Sequence, residues 1–151
     1  MRVGEFVGGV GVYQPHGLAG GPGCSGDRLD TDLGRGGFGI PRELADLPRS
    51  KVLQPLTRVR AFGHDASHVR LRIKDECPAG QGYRVAETAR GSRGISYSDV
   101  PTRVTVDFWV VDIGTTSVVV DAWHQRGASA DLVTQVAEVR DSITLVPAVV
   151  R

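Results

Sequence analysis

Five cations, Arg58, Arg60, Arg70, Arg72 and Lys74, stand on two neighbouring runs in which polar and apolar residues alternate. Residues two apart in a strand share a side, so a hairpin of these runs gathers the five on one basic sheet face. That face suits an anionic ligand: a lipid headgroup, an acidic polymer or an acidic patch on a protein. No aromatic residue interleaves with the cations, so single-stranded nucleic acid is not expected as a partner. Asp107 and Asp121 form a second constellation, on consecutive valine-rich runs. A three-residue turn would set the two carboxylates opposite each other, close enough to share a proton or hold a cation. Another turn length separates them, and each then pairs with an arginine or faces water. With His124 they define the alternative to a binding domain, a small hydrolase or metal-dependent enzyme.

Other motifs fail on context. Gly34-Arg35-Gly36-Gly37-Phe38-Gly39 matches G-x-G-x-x-G, but an Asp-rich coil precedes it and Ile40-Pro41 follows. A phosphate cradle needs a strand before the glycines and a helix after them. Asp27, Asp30 and Asp32 lack the glycine and the bidentate acid of a calcium loop. His64 and His68 have an H-x3-H spacing, but the two cysteines stand far apart, unlike zinc modules. Gly94-Ile95-Ser96-Tyr97-Ser98 resembles a nucleophile elbow, yet no helix follows it. No catalytic residue, metal ligand or cofactor is therefore assigned.

The elements that position these residues read most clearly from Thr102 to Val146. Val104, Val106, Phe108 and Val110 make one strand face, and Asp112 to Thr115 make a turn. Val118 to Trp123 return. Ser129 can cap a helix whose Leu132, Val136, Val139 and Ile143 form one apolar stripe. Ser142 to Val146 then reads as a final strand. Upstream, Val52 to Phe62 and His68 to Lys74 form a hairpin, and Gly82 to Glu87 a short strand. Arg42 to Arg49 suits a helical turn, and Gly37 to Pro41 a short edge strand. Residues 1–23 are rich in glycine and show neither period, so they read as a flexible arm ahead of a single domain over 24–150. The fold class expected is α+β: a mostly antiparallel sheet, one long C-terminal helix packed across a face, and a short closing strand.

Composition is that of a globular domain, with 40% hydrophobic and 23% charged residues and a net charge of +1. No apolar run is long enough to cross a bilayer. Cys24 and Cys77 both sit in turn-like sequence, and bridging them would contribute about 4 kcal/mol by constraining the unfolded chain. An even cysteine count in such contexts points to an oxidising compartment. Residues 1–23 make no good signal peptide, so export would require a segment missing from this chain; the alternative is a cytoplasmic location.

Gly37 to Pro41 and Thr116 to Leu145, taken with the meander and hairpin between them, resemble the Mog1/PsbP-like layout of LpqN-type exported actinobacterial proteins. Tyr83 to Glu87, Asp107 to Asp112 and Val118 to His124 are similar to runs in the C-terminal domain of uncharacterised actinobacterial extracytoplasmic proteins. The resemblance implies an envelope location and a non-enzymatic binding or accessory role, and the basic face adds the expected partner, an anionic envelope component or a protein. The Arg90–Pro101 loop adjoins the expected basic surface.

Overall fold

In the computed structural model the residues described are 2–3, 6–17, 23–24, 39–73, 83–85, 87–88 and 104–147. In chain order they form β1 (Arg2–Val3), β2 (Phe6–Tyr13), β3 (Pro15–Gly17), β4 (Gly23–Cys24) and α1 (Ile40–Ala45). The paired strands β5 (Ser50–Ala61) and β6 (His64–Ile73) come next, then β7 (Tyr83–Arg84) and β8 (Glu87–Thr88). The chain continues through β9 (Val104–Ile113), β10 (Thr116–Gln125) and α2 (Ala130–Asp141). One antiparallel sheet dominates, in the order β1-β2-β10-β9-β6-β5, with β1 a two-residue edge beside five long strands. Two-strand ladders, β3 with β8 and β4 with β7, accompany it.

Alternation along β6, β9 and β10 creates two faces, both partly apolar. Val69, Leu71, Val106, Phe108, Val110 and Val119 point to the first, where Ile40 and Leu44 of α1, with Leu47, Tyr83 and Val85, complete the main core. Pro41 in the first turn of α1 has the φ a helix start needs, so the expected edge strand at Gly39–Pro41 is instead a helix N-terminus. Ala66, Val111, Val120 and Ala122 point to the second face, under α2 and the chain that follows it.

Two tight turns set the register. Gly114 takes φ 61 between Ile113 and Thr116, which pair directly. Phe62 and Gly63 take φ 55 and 82 between Ala61 and His64, the pattern of a type I′ hairpin. Asparagine, aspartate or glycine is the usual first residue there, and a phenylalanine at positive φ carries about 1 kcal/mol of strain.

The expected long helix and closing strand are not present. α2 has 12 residues and spans about 18 Å. Ser129 caps its start by accepting from Leu132 N at 3.3 Å. Its end comes at Ser142, whose hydroxyl donates to the Val139 carbonyl at 2.7 Å. Only Leu132 and Val136 of the expected stripe are buried on the helix, while Val139 is 43% exposed. Ile143 lies beyond the helix and packs, with Leu145, on the Val111–Val120 cluster. Residues 143–147 pair with no strand, because they cross the face of the sheet instead of extending its edge. The His64 ring donates from Nε2 to the Leu145 carbonyl at 2.8 Å and anchors this segment. The fold is thus a strand-rich antiparallel sheet with two short helices.

Residues 6–13, read from sequence as part of an arm, are β2 and pair with β10 from Tyr13 opposite Val119 to Gly8 opposite His124. Glycine hides this strand from a hydropathy pattern while serving close approach. A Cβ at Gly8 would lie 2.9 Å from both the Trp123 carbonyl oxygen and Val136 Cγ2, so α2 sits directly on the strand.

Candidate functional site

The register divides the five cations. Arg70 opposes Asp107 and Arg72 opposes Thr105, so both lie on the second face, the one α2 partly covers. Arg58 opposes Ser67 and Arg60 opposes Asp65, and Ser67 and Asp65 alternate with Ala66 toward the first face. The two-residue turn at Phe62 and Gly63 sets this pairing, and the register shifts of β5 come only beyond it, between Val52 and Thr57. Arg58 meets Asp112 at 3.2 Å and Arg60 meets Asp65 at 3.1 Å, all four side chains well exposed. Such pairs contribute about 1 kcal/mol or less. Lys74 lies outside the described residues, as do Cys77, Ser96, Asp27, Asp30, Asp32 and the Arg90–Pro101 loop. The Cys24–Cys77 pairing therefore falls outside them too, and no disulfide is found among the described residues.

The same register separates the carboxylates. A two-residue turn places Asp107 opposite Ala122 and Asp121 opposite Phe108, so they point to different faces. Asp107 and His124 line one groove, and Asp121 is buried behind the sheet. The Asp107–Asp121–His124 constellation does not assemble.

What does assemble is a groove of about 310 Å³ on the second face. It exists because α2 lies over β2 and β10 and leaves β6 and β9 uncovered beside it. Arg70 and Arg72 rise from β6, Thr105 and Asp107 from β9, His124 from β10 and Arg140 from α2. Asp107 is the floor: His68 Nε2 donates to its Oδ1 at 2.6 Å and Arg70 Nε donates to the same oxygen at 2.9 Å. Burial pushes the Asp107 carboxyl up, but the hydrogen bonds and positive charge of His68 and Arg70 outweigh it and hold the group below the usual carboxylate range. Asp107 is therefore a committed anion that orients its two partners.

Arg72 has no such commitment. Its Nε is buried without a hydrogen-bond partner, and no ion pair engages its guanidinium among the described residues. A buried donor without an acceptor is costly, and such a group calls for an explanation. Arg140 is held at the mouth by Asp141, 2.7 Å away, and its guanidinium lies over the Trp109 ring at 5.5 Å.

Behind the sheet, Asp121 Oδ1 accepts from Gly11 N at 3.0 Å, while its Oδ2 and the Tyr13 hydroxyl are both buried without a hydrogen-bond partner. Burial raises the Asp121 carboxyl to about 6, against the opposing pull of the Gly11 N–H and the nearby Tyr13 hydroxyl. Burial and the neighbouring Asp121 charge push the Tyr13 hydroxyl well up.

Sequence reasoning singled out Arg70, Arg72, Asp107 and His124 but missed His68, Trp109 and Arg140 as parts of one site. His68 shares the parity of Arg70 and Arg72, and Trp109 that of Asp107, so a correct register would have joined them. Arg140 carried no such signal, because its place depends on where α2 lands. Among the described residues no three His, Cys, Asp or Glu side chains gather as a metal site, and no helix is long and apolar enough to cross a membrane. No family model, curated protein or solved structure matches the chain.

Proposed function

We propose that this chain is a binding domain that takes an anionic ligand in the groove between α2 and strands β6 and β9. The observation that carries this reading is Arg72, a cation whose buried Nε is without an acceptor in a groove it shares with Arg70 and Arg140. Planar guanidinium forks suit carboxylate or phosphate oxygens, and charge-assisted bonds of this kind are about twice as strong as neutral ones. Asp107 fits the reading as a support. It is occupied by His68 and Arg70 and turns the Arg70 side chain toward the groove wall.

Calorimetric titration with inorganic phosphate tests this. Arg72→Ala should weaken binding by about tenfold or more, and Arg58→Ala, on the other side of the sheet, should leave it unchanged. Equal losses in both variants would mean a diffuse charge effect and would sink the groove. An extracytoplasmic placement in an actinobacterial envelope, with a protein or anionic envelope component as the source of the ligand, belongs to the same proposal. Two free thiols in denatured, unreduced protein from its native source would count against that placement.

A further inference from the structure

A second recess of about 480 Å³ lies on the same face, lined by Phe62, Trp109, Ile143 and Arg140 among others. Arg140 lines both recesses. The second sets the rings of Phe62 and Trp109 among the charged Arg60, Arg140 and Asp141. Phe62 meets the Trp109 ring edge-on with centroids 5.6 Å apart, and the His68 ring lies beside Trp109 at 4.9 Å and 32°. His68 thus links the walls of the two recesses from beneath, hydrogen-bonding Asp107 on one side and lying against the Trp109 ring on the other.

Phe62 supplies the independent observation. It occupies the first position of a type I′ turn at φ 55, where a phenylalanine is strained and asparagine is not, yet its ring is only partly buried. A locally disfavoured residue held in place points to a role beyond the turn itself. The ring it presents, with Trp109, is a stacking surface directly beside a cationic groove.

We infer that the two recesses form one site for a ligand that joins an anionic group to a planar apolar ring. The anion meets Arg70 and Arg72, the ring lies against Phe62 and Trp109, and Arg140 touches both parts. This rests on the groove reading above and adds the chemical class of the ligand. An anion alone fills half of the site; an apolar ring alone leaves Arg72 without an acceptor.

Inorganic phosphate and 1-naphthyl phosphate, titrated separately by calorimetry, test this. The wild-type chain should bind 1-naphthyl phosphate about tenfold tighter than phosphate, the scale of one ring stacked on an aromatic side chain. Phe62→Asn, which suits the turn, should remove most of that preference and leave phosphate affinity unchanged. Phe62→Leu, which keeps apolar bulk without a ring, should do the same if the asparagine variant fails to fold. Equal wild-type affinities for the two probes, or a preference unmoved in a folded Phe62 variant, would overturn the joint site while Arg72-dependent phosphate binding still upheld the groove. Failure of both probes to bind would overturn both.

Discussion

Asp107 and Asp121 stand one rung apart on adjacent strands and face opposite sides of the sheet, Asp107 opposite Ala122 and Asp121 opposite Phe108. The step of one residue reverses their electrostatics. Asp107 has two cationic or cation-forming donors within 2.9 Å, and its carboxyl is held low. Asp121 has one backbone N–H and the nearby Tyr13 hydroxyl in an otherwise buried setting, and its carboxyl is raised to about 6. One carboxylate organises the groove; the other burdens the core.

Asp121 therefore makes stability depend on pH in an unusual direction. Its folded value of about 6 exceeds the ordinary 3.8, so between these two the folded chain holds more protons than the unfolded one. Stability contributed by this group is fully present below the lower value and is lost as pH rises through the upper one. The loss should be about 3 kcal/mol. Urea unfolding across this range should show the decline in the wild-type chain and a flatter profile in Asp121→Asn. An unchanged slope in the variant would place the effect elsewhere.

Asp107 runs the other way. Its lowered folded value means that its contribution is present above the unfolded value and is lost as pH falls through the folded one. Asp107→Asn keeps the shape but removes the charge that His68 and Arg70 share. It should cost about 2 kcal/mol at neutral pH, and the gap from wild type should shrink as pH falls through the lowered folded value, where the wild-type chain loses the charge too. A gap that stays constant in acid would mean that packing, not charge, carries the loss.

The hairpin of β9 and β10 was legible because valine alternation is dense there and Gly114 marks its turn. The basic face was half legible. Alternation correctly grouped Arg70 with Arg72, but the face of Arg58 and Arg60 depends on the cross-strand register, which the two-residue turn at Phe62 and Gly63 sets and a longer connection would misplace. β2 was invisible for a different reason. Gly8, Gly9 and Gly11 each lack the side chain that would sit against β10 or α2, so the contact itself erases the hydrophobic signal. The length of α2 was misread because Ile143 continues the helical stripe in sequence but packs from extended chain.

The cap of α2 decides where the groove's helical wall stands. Ser129 Oγ accepts from Leu132 N, and Leu132 is fully buried against the sheet. Ser129→Ala should destabilise the fold by about 1 kcal/mol, read as a lower denaturation midpoint with an unchanged slope. It should also weaken phosphate binding less than Arg72→Ala does, since Arg140 lies at the opposite end of the helix. A binding loss as large as that of Arg72→Ala would show that α2 moves as a unit and that its position, not Arg72, limits affinity.

Gly11 and Asp121 should behave as one unit. A Cβ at Gly11 would lie 2.9 Å from Asp121 Oδ1, the oxygen that accepts the Gly11 N–H. Gly11→Ala must push that carboxylate aside, and in a packed core such crowding costs about 1–3 kcal/mol. In Asp121→Ala the space is vacant, and the methyl group of Gly11→Ala enters it without displacing anything. The double variant should therefore lose less stability than the two single variants together, with a coupling of about 1 kcal/mol or more by a double-mutant cycle in urea. Strict additivity would mean that Gly11 is needed for backbone reasons alone, and that the carboxylate stands where it does without the help of β2.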